Sequence, residues 1–359
     1  YISLAVAVSF VTSLVLLVPS LLGLPAKKLF TIVMILVVFT DLLFIFLLRI
    51  TLPNDPLYHG EKDEPWLYSR LRIWFGAMLI LSILLFVVLY LKTDLSLIID
   101  FAFASTPLLI VGQKGRAFEE YIKREDENFS RFLRTMGGTL AATGSTITNA
   151  LSSVRIHDFE MLNDHIEHLY RRLVYSKDIF KSWYWFAIET GSFLIHKFSN
   201  VFVETIYKGG NPKIVSQIIG DNFNTVRGLR KLRSSAATNT IAIIFGATFG
   251  LALTVYLSFW IAETLFATFR NMQTDIVDQW LPNFGRTNTA ELIVLADLLM
   301  FIHCLFGSVV ATYLRGGVWY TSNLYFSLLL YLTALMLSLI HISEPTRPLY
   351  ISYAVFCLK

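Results

Sequence analysis

The sequence predicts an all-α, polytopic membrane protein with a soluble helical bundle inserted between its spans. Three observations lead there. The chain of 359 residues is 55% hydrophobic and only 16% charged, whereas soluble domains carry about 25% charged residues. Its apolar residues gather into runs of roughly 20, the length that crosses a bilayer core. A polar stretch, 114–236, separates those runs and repeats its apolar residues at helical spacing. That stretch holds 18 of the 30 Lys and Arg against 13 Asp and Glu, so it is net +5 while the whole chain is +4.

Seven spans are expected in order: 2–24, 29–50, 73–91, 95–111, 240–265, 292–314, and one starting near Asn323. Lys114 and Arg116 on entry to the polar stretch, and Arg230, Lys231 and Arg233 on exit, place it in the cytoplasm by the positive-inside rule. Spans three and four then form a hairpin turned outside by Lys92, Thr93 and Asp94, and the loop before Arg72 returns to the cytoplasm. Arg49, Arg70 and Arg72 border that loop in agreement with this order, its acidic stretch 61–64 counts little under the rule, and Lys27 with Lys28 dissents. Trp260, Trp280, Trp319 and Tyr320 lie near span ends, where amphipathic rings anchor at the interface. The domain order is therefore 1–50 as a transmembrane hairpin, 51–72 as a cytoplasmic loop, 73–112 as a second hairpin, 113–237 as the bundle and 238–336 as a C-terminal membrane region. Tyr1 lies inside an apolar run without Met or a basic leader, which reads as an internal fragment. The stretch 337–359 resembles the translation of a transposase-library sequencing adapter, so it is given no functional weight.

Within the bundle, Phe129, Phe132, Leu133, Met136 and Leu140 share one helix face, as do Leu162, Ile166, Leu169 and Leu173. Ile214, Ile218, Thr225, Leu229 and Leu232 read as a third core stripe. Turn chemistry separates the helices. Gly144 before Ser145 and Thr146 gives one break and restart, and Asp158 gives another start. Gly209 and Gly210 supply positive φ, Asn211 a cap, and Pro212 a first turn whose N–H is not needed. Five or six helices and no strand are expected here.

These residues also carry a resemblance. Asn128 to Leu151, with its Phe-x-x-Phe-Leu-Arg helix and Gly-Thr-hydrophobic restart, resembles the opening of the type II secretion F-type domain. Phe198 to Arg233, with the Gly-Gly-Asn-Pro turn, is similar to the second half of that domain in archaellum platform proteins, and the resemblance covers about 72–260. It implies a homodimeric platform in the cell membrane at the base of a type IV pilus-like filament. Its partners would be membrane lipid, a hexameric secretion ATPase with associated motor components below, and archaellin or pilin subunits beside it. Members of the family usually carry two such domains, and one is visible here. A platform for an archaeal adhesive pilus or a Tad-like system stays open beside the archaellum version. Residues chosen for ATPase docking, by charge and by position in the resembling stretches, are Arg131, Arg134, Lys208, Lys213, Arg227, Arg230, Lys231 and Arg233. Each could equally serve helix ends or topology.

Chemistry of its own is not expected. The chain lacks a phosphate-binding G-x-x-x-x-G-K-[ST] loop, Gly-x-Ser-x-Gly and His-Glu-x-x-His, so no enzyme, cofactor or metal is assigned. The segment His157, Asp158, Glu160, Asp164, His165, Glu167 and His168 offers metal-ligand types but reads first as a solvated helix surface. Lys and Arg alternate with acids in the bundle, unlike a surface that tracks nucleic acid. Asp41, Asp100, Asp297 and His303 fall inside spans, where charges are costly. A proton-coupled transporter would use them. Interhelical hydrogen bonds are the simpler expectation, because Asp297 and His303 lie on different helix faces.

Overall fold

The computed structural model describes residues 26–53, 55–59, 66–93, 95–176, 178–272 and 289–342. The expected span 2–24, the acidic stretch 61–64, Trp280 and residues 343–359 lie outside the described residues. The elements are α1 (Ala26–Thr51), α2 (Trp66–Lys92), α3 (Leu97–Ala104), α4 (Thr106–Thr143), α5 (Ile147–Val154), α6 (Asn163–Tyr175), α7 (Ile179–Thr190), α8 (Phe193–Tyr207), α9 (Pro212–Met272), α10 (Thr289–Arg315) and α11 (Ser322–Ile342). Short 3-10 turns at Glu160–Leu162 and Trp319–Thr321 precede α6 and α11. No strand occurs among the described residues, and the fold is all-α. Among the described residues five helices are long and apolar enough to cross a membrane, or six when α3 and α4 count as one bent span.

That bend has a local cause. Pro107 has no N–H to give the carbonyl of Phe103, and the two helices meet at 43°. The hydroxyl of Thr106 donates to that carbonyl instead at 2.7 Å, and Ser327 of α11 donates to the carbonyl of Ser105 at 3.0 Å. The carbonyl freed by Pro107 is thus satisfied, and that of Ser105 accepts from the N–H of Leu109 at 3.2 Å as well as from Ser327.

Beyond the bend, α4 runs without interruption from the membrane region into the bundle. The 61-residue α9 does the same in the opposite direction. Short linkers are expected at both boundaries from the sequence; the structure has none. The two helices pack antiparallel, with Ser130 donating to the carbonyl of Gly220 at 3.3 Å and accepting from the side-chain amide of Asn224 at 3.0 Å. Gly137 allows the closest approach, since a Cβ there would collide with Ser216 and the carbonyl of Pro212. Measured from Thr240, the tip of this pair at Lys213 stands about 40 Å away along the helix.

The bundle core forms around aromatic rings: Phe129, Phe132, Trp183, Phe186, Phe202 and Phe223 are all fully buried. Leu162, Ile166, Leu169 and Leu173 of the second stripe are buried with them. The third stripe is a correction. Ile214, Ile218, Leu229 and Leu232 are 55–68% exposed and Thr225 is exposed as well, so they do not pack the core. Ser216, Ile219 and Phe223 face inward instead. A two-residue offset turns a helix by about 200°, which puts the two sets on opposite sides of α9.

In the membrane region, α9, α10 and α11 bury Leu251, Val255, Ala296, Leu299, Leu329 and Leu330 against one another, and α3 joins with Ile98. By contrast α2 leaves Ile73, Ile80 and Leu91 at 67–75% exposure, as a helix facing acyl chains does. Leu337 is buried in this core and α11 continues through Ile342, so the opening of the stretch 337–359 is helical.

The chain between α1 and α2 folds back onto the bundle. The N–H of His59 donates to Gly191 at 3.1 Å, the N–H of Phe193 donates to Leu57 at 3.3 Å, and the rings of His59 and His196 meet edge to face at 4.0 Å. This loop, the bundle and the turn between α10 and α11 therefore lie on one side of the membrane region.

Candidate functional site

The elements converge where α4 and α9 emerge from the membrane region, and α4 supplies the acids. Glu119, almost fully buried, accepts from the N–H of Val318 at 2.7 Å and from the hydroxyl of Thr321 at 2.6 Å, which fixes the turn into α11. Asp126, also buried, accepts a short hydrogen bond from Ser192 at the start of α8. From α9, Arg230 grips Asp55 through two bonds of 2.7 and 2.6 Å and the carbonyl of Pro56 at 2.9 Å, while standing 3.7 Å from Asp126. One guanidinium thus ties the α1–α2 loop, α4, α8 and α9 together. Arg233 donates to the carbonyls of Leu314 and Tyr313 at 3.0 and 2.8 Å, capping the end of α10.

Burial shifts two neighbouring acids of α4 upward. It raises Asp126 to about 6, against the hydrogen bond from Ser192 and the charges of Arg230 and Arg227 that favour the carboxylate. It raises Glu125 to about 7. His165, 3.6 Å from Glu125 and 3.1 Å from the hydroxyl of Tyr121, is pushed down, chiefly by burial.

Of the remaining residues chosen for docking, Arg227 and Lys231 stay beside this convergence, while Arg131, Arg134, Lys208 and Lys213 lie farther toward the bundle tip. Arg131 donates to Asn128 and to the carbonyl of Asp158, both at 3.0 Å, and its guanidinium lies 5.5 Å from the ring of Phe159. Arg134 pairs with Asp221 at 2.6 Å, Lys208 with Glu204 at 2.6 Å, and Arg227 stands 3.8 Å from Glu127. Lys213 and Lys231 are exposed, and their side chains have neither a hydrogen bond nor an ion pair among the described residues. Arg230 and Arg233, in contrast, bond groups within the chain through Nε and Nη2.

The turn residues divide the same way. Gly144 (φ 57°) and Gly209 (φ 89°) take the left-handed conformation, and Asn211 accepts from the N–H groups of Lys213 and Ile214 at 3.1 and 3.4 Å ahead of Pro212. Gly210 does not have positive φ but sits tight against Thr205. These turns form the far tip of the α4–α9 pair.

Of the charges within spans, Asp297 of α10 accepts from Ser96 at 2.7 Å and Tyr256 at 2.9 Å, and lies 3.4 Å from the N–H of Ile98. It places a carboxylate at the N-terminus of α3, where the helix dipole favours it. Asp100 accepts from Thr93 at 3.1 Å. His303 meets Asp41 of α1 at 3.4 Å. Counting along α10 from Arg315, His303 lies roughly 18 Å deep and Asp297 roughly 27 Å deep, so the two pairs sit at separate levels.

Among the described residues one cluster offers itself to a metal: His165, His168 and Glu189 can bring ligand atoms within 4.8 Å of one another. Arg172 already holds both oxygens of Glu189, which supplies that carboxylate with its counter-charge.

Sequence reasoning missed Asp55, Glu119, Asp126 and Ser192. A signal was present only for Ser192, because Thr190-Gly191-Ser192 reads as a helix stop and cap. Gly191 has φ 70° and Ser192 accepts from the N–H of Ile195 at 3.2 Å.

Together these features define a class: an all-α polytopic membrane protein whose water-exposed bundle is carried on two helices continuous with its spans. Within that class the chain is similar to two proteins named Flagella accessory protein J. It is 28% identical to that of Methanocaldococcus jannaschii over 352 residues and 27% identical to that of Methanococcus voltae over 350 residues. Each comparison takes in 94% of this chain, and the chain spans 62% of the length of each relative. No protein-family model and no solved structure matches the chain.

Proposed function

We propose that this chain is the membrane platform of an archaellum, on which a cytoplasmic hexameric ATPase acts to assemble or turn a type IV pilus-like filament. The name of the two relatives supports an archaellum-associated role. The observation that carries the mechanical part is the 61-residue α9, which joins the bundle tip to the membrane without a break. A helix transmits displacement along its axis because every residue is held to the next turn by backbone hydrogen bonds. The 113–237 bundle faces the cytoplasm in this reading, in line with its basic membrane-proximal ends. Filament subunits and a second copy of the chain would meet the membrane helices.

Docking belongs at the tip. Lys208 and Lys213 flank the turn farthest from the membrane, with Arg131 and Arg134 on the adjoining face of α4, and none of the four is buried. The chain performs no catalysis and borrows its energy from the ATPase. Asp41, Asp100, Asp297 and His303 act as interhelical braces, which favours a platform over a proton-coupled transporter.

Charge reversal at Lys208 and Lys213 together is expected to weaken ATPase binding and to increase its sensitivity to salt, since such attraction is screened within about 8 Å at physiological ionic strength. Affinity unchanged at low and high salt overturns this docking face. Arg230 and Arg233 are unsuited to the test because their removal disturbs the fold.

A further inference from the structure

The geometry points to a binding site for a phosphate-bearing anion in the cavity between α4, α9 and the turn that follows α10. The cavity measures about 570 Å³ and is lined by seven Lys and Arg against five Asp and Glu. Its acids are largely used already. Glu119 is taken by Val318 and Thr321, Asp55 by Arg230, and Asp126 by Ser192 and Arg230. Glu127 stands near Arg227, and Glu120 lies 3.8 Å from Lys123 and 4.0 Å from Arg315.

The cations are left with unmet capacity. Nη1 of Arg230 and Nε of Arg315 are buried and have no hydrogen-bond partner. A buried guanidinium N–H without an acceptor is costly, and both arginines line this cavity. Arg124 and Lys231 also line the cavity, and their side chains have neither a hydrogen bond nor an ion pair among the described residues. Phosphate suits this donor set better than a single carboxylate does, because its several oxygens accept from guanidinium groups arriving from different directions.

Position narrows the source. Thr238 lines the cavity just before the apolar run of α9 begins, and Arg315 ends α10 on the same side. The cavity thus opens at the level of lipid headgroups, where basic pockets between membrane helices hold anionic lipid. A free phosphate would satisfy the same donors. This site is independent of the platform reading and would stand if the filament type were different.

The test uses the full chain in neutral detergent, measuring by native mass spectrometry the retention of phosphatidylglycerol against phosphatidylcholine, and separately the binding of inorganic phosphate by calorimetry. The informative variant is Arg124→Gln with Lys231→Gln, whose side chains make no bond that the fold needs; Arg315→Gln is the second. Wild type is expected to retain phosphatidylglycerol in preference to phosphatidylcholine, and each charge removed should weaken binding about fivefold. Retention of phosphatidylglycerol that inorganic phosphate does not displace identifies a lipid headgroup. Binding of inorganic phosphate without phosphatidylglycerol identifies a free anion. Binding of neither, or binding that both variants leave unchanged, overturns the proposal.

Discussion

At the scale of single residues, Arg230 holds more of the structure than any other cation described. Its side chain is 15% exposed and its partner Asp126 only 2%, so removing the guanidinium leaves a buried acid with less compensation. Arg230→Met is expected to destabilise the full chain by about 2–4 kcal/mol and to free residues 55–59 for rapid amide exchange. Hydrogen exchange read by mass spectrometry checks this, and unchanged protection at His59 would contradict it. Glu125 gives a pH signature of opposite sign to most carboxylates. Its folded pKa is raised from 4.5 to about 7 by burial, so the folded state holds the proton more tightly than the unfolded one. Stability therefore falls as pH rises through that window and recovers as pH is lowered. His165 works against it, since its depressed pKa costs stability as pH falls below 6.5. Asp126 on α4 and Asp164 on α6 also act on Glu125. The clean readout is the difference between wild type and Glu125→Gln: the variant should gain on wild type as pH rises from about 4.5 to 7, seen as a growing gap in thermal unfolding midpoints. A constant gap would rule out the raised acid. Neither feature was legible beforehand. Burial of Asp126 and the reach of Arg230 to Asp55 come from tertiary contacts, which sequence spacing does not encode.

At the scale of elements, the α4–α9 pair depends on close packing. Gly137→Val would drive a branched side chain into Ser216 and the backbone at Pro212, and overpacking of this kind costs about 1–3 kcal/mol. The expected result is a lower unfolding midpoint with the helical content retained. Continuity matters separately from packing. Inserting several glycines between Ser235 and Ala236 should leave the bundle folded and ATPase-competent while abolishing filament assembly, because flexible residues absorb the displacement that a helix passes on. Normal assembly with that insertion would contradict the lever. Helices were the most legible feature of the sequence, since two stripes and the Gly-Gly-Asn-Pro turn carry strong local signals. The third stripe misled. On α9 apolar residues occupy more than one face, Ile219 and Phe223 inward and Ile218 and Leu229 outward, and spacing alone does not choose the buried one. The bend at Ser105 also escaped, although Pro107 marks it, because the apolar run on both sides reads as one span.

At the scale of the whole molecule, the sidedness of the loops ties the fold to its role. Residues 55–59, the bundle and the α10–α11 turn contact one another, so they share one side whatever that side is. In the proposed platform reading that side is the cytoplasm, in line with the positive-inside pattern, and Lys92, at the end of α2, is outside. Cysteine labelling measures this directly: Cys304 is buried, and with the second native cysteine, Cys357, replaced by Ser, a single surface cysteine can be introduced. In intact cells, Arg155→Cys should resist a membrane-impermeant maleimide until the membrane is permeabilised, while Lys92→Cys should react at once. Labelling of Arg155→Cys in intact cells would place the bundle outside and contradict its coupling to a cytoplasmic ATPase.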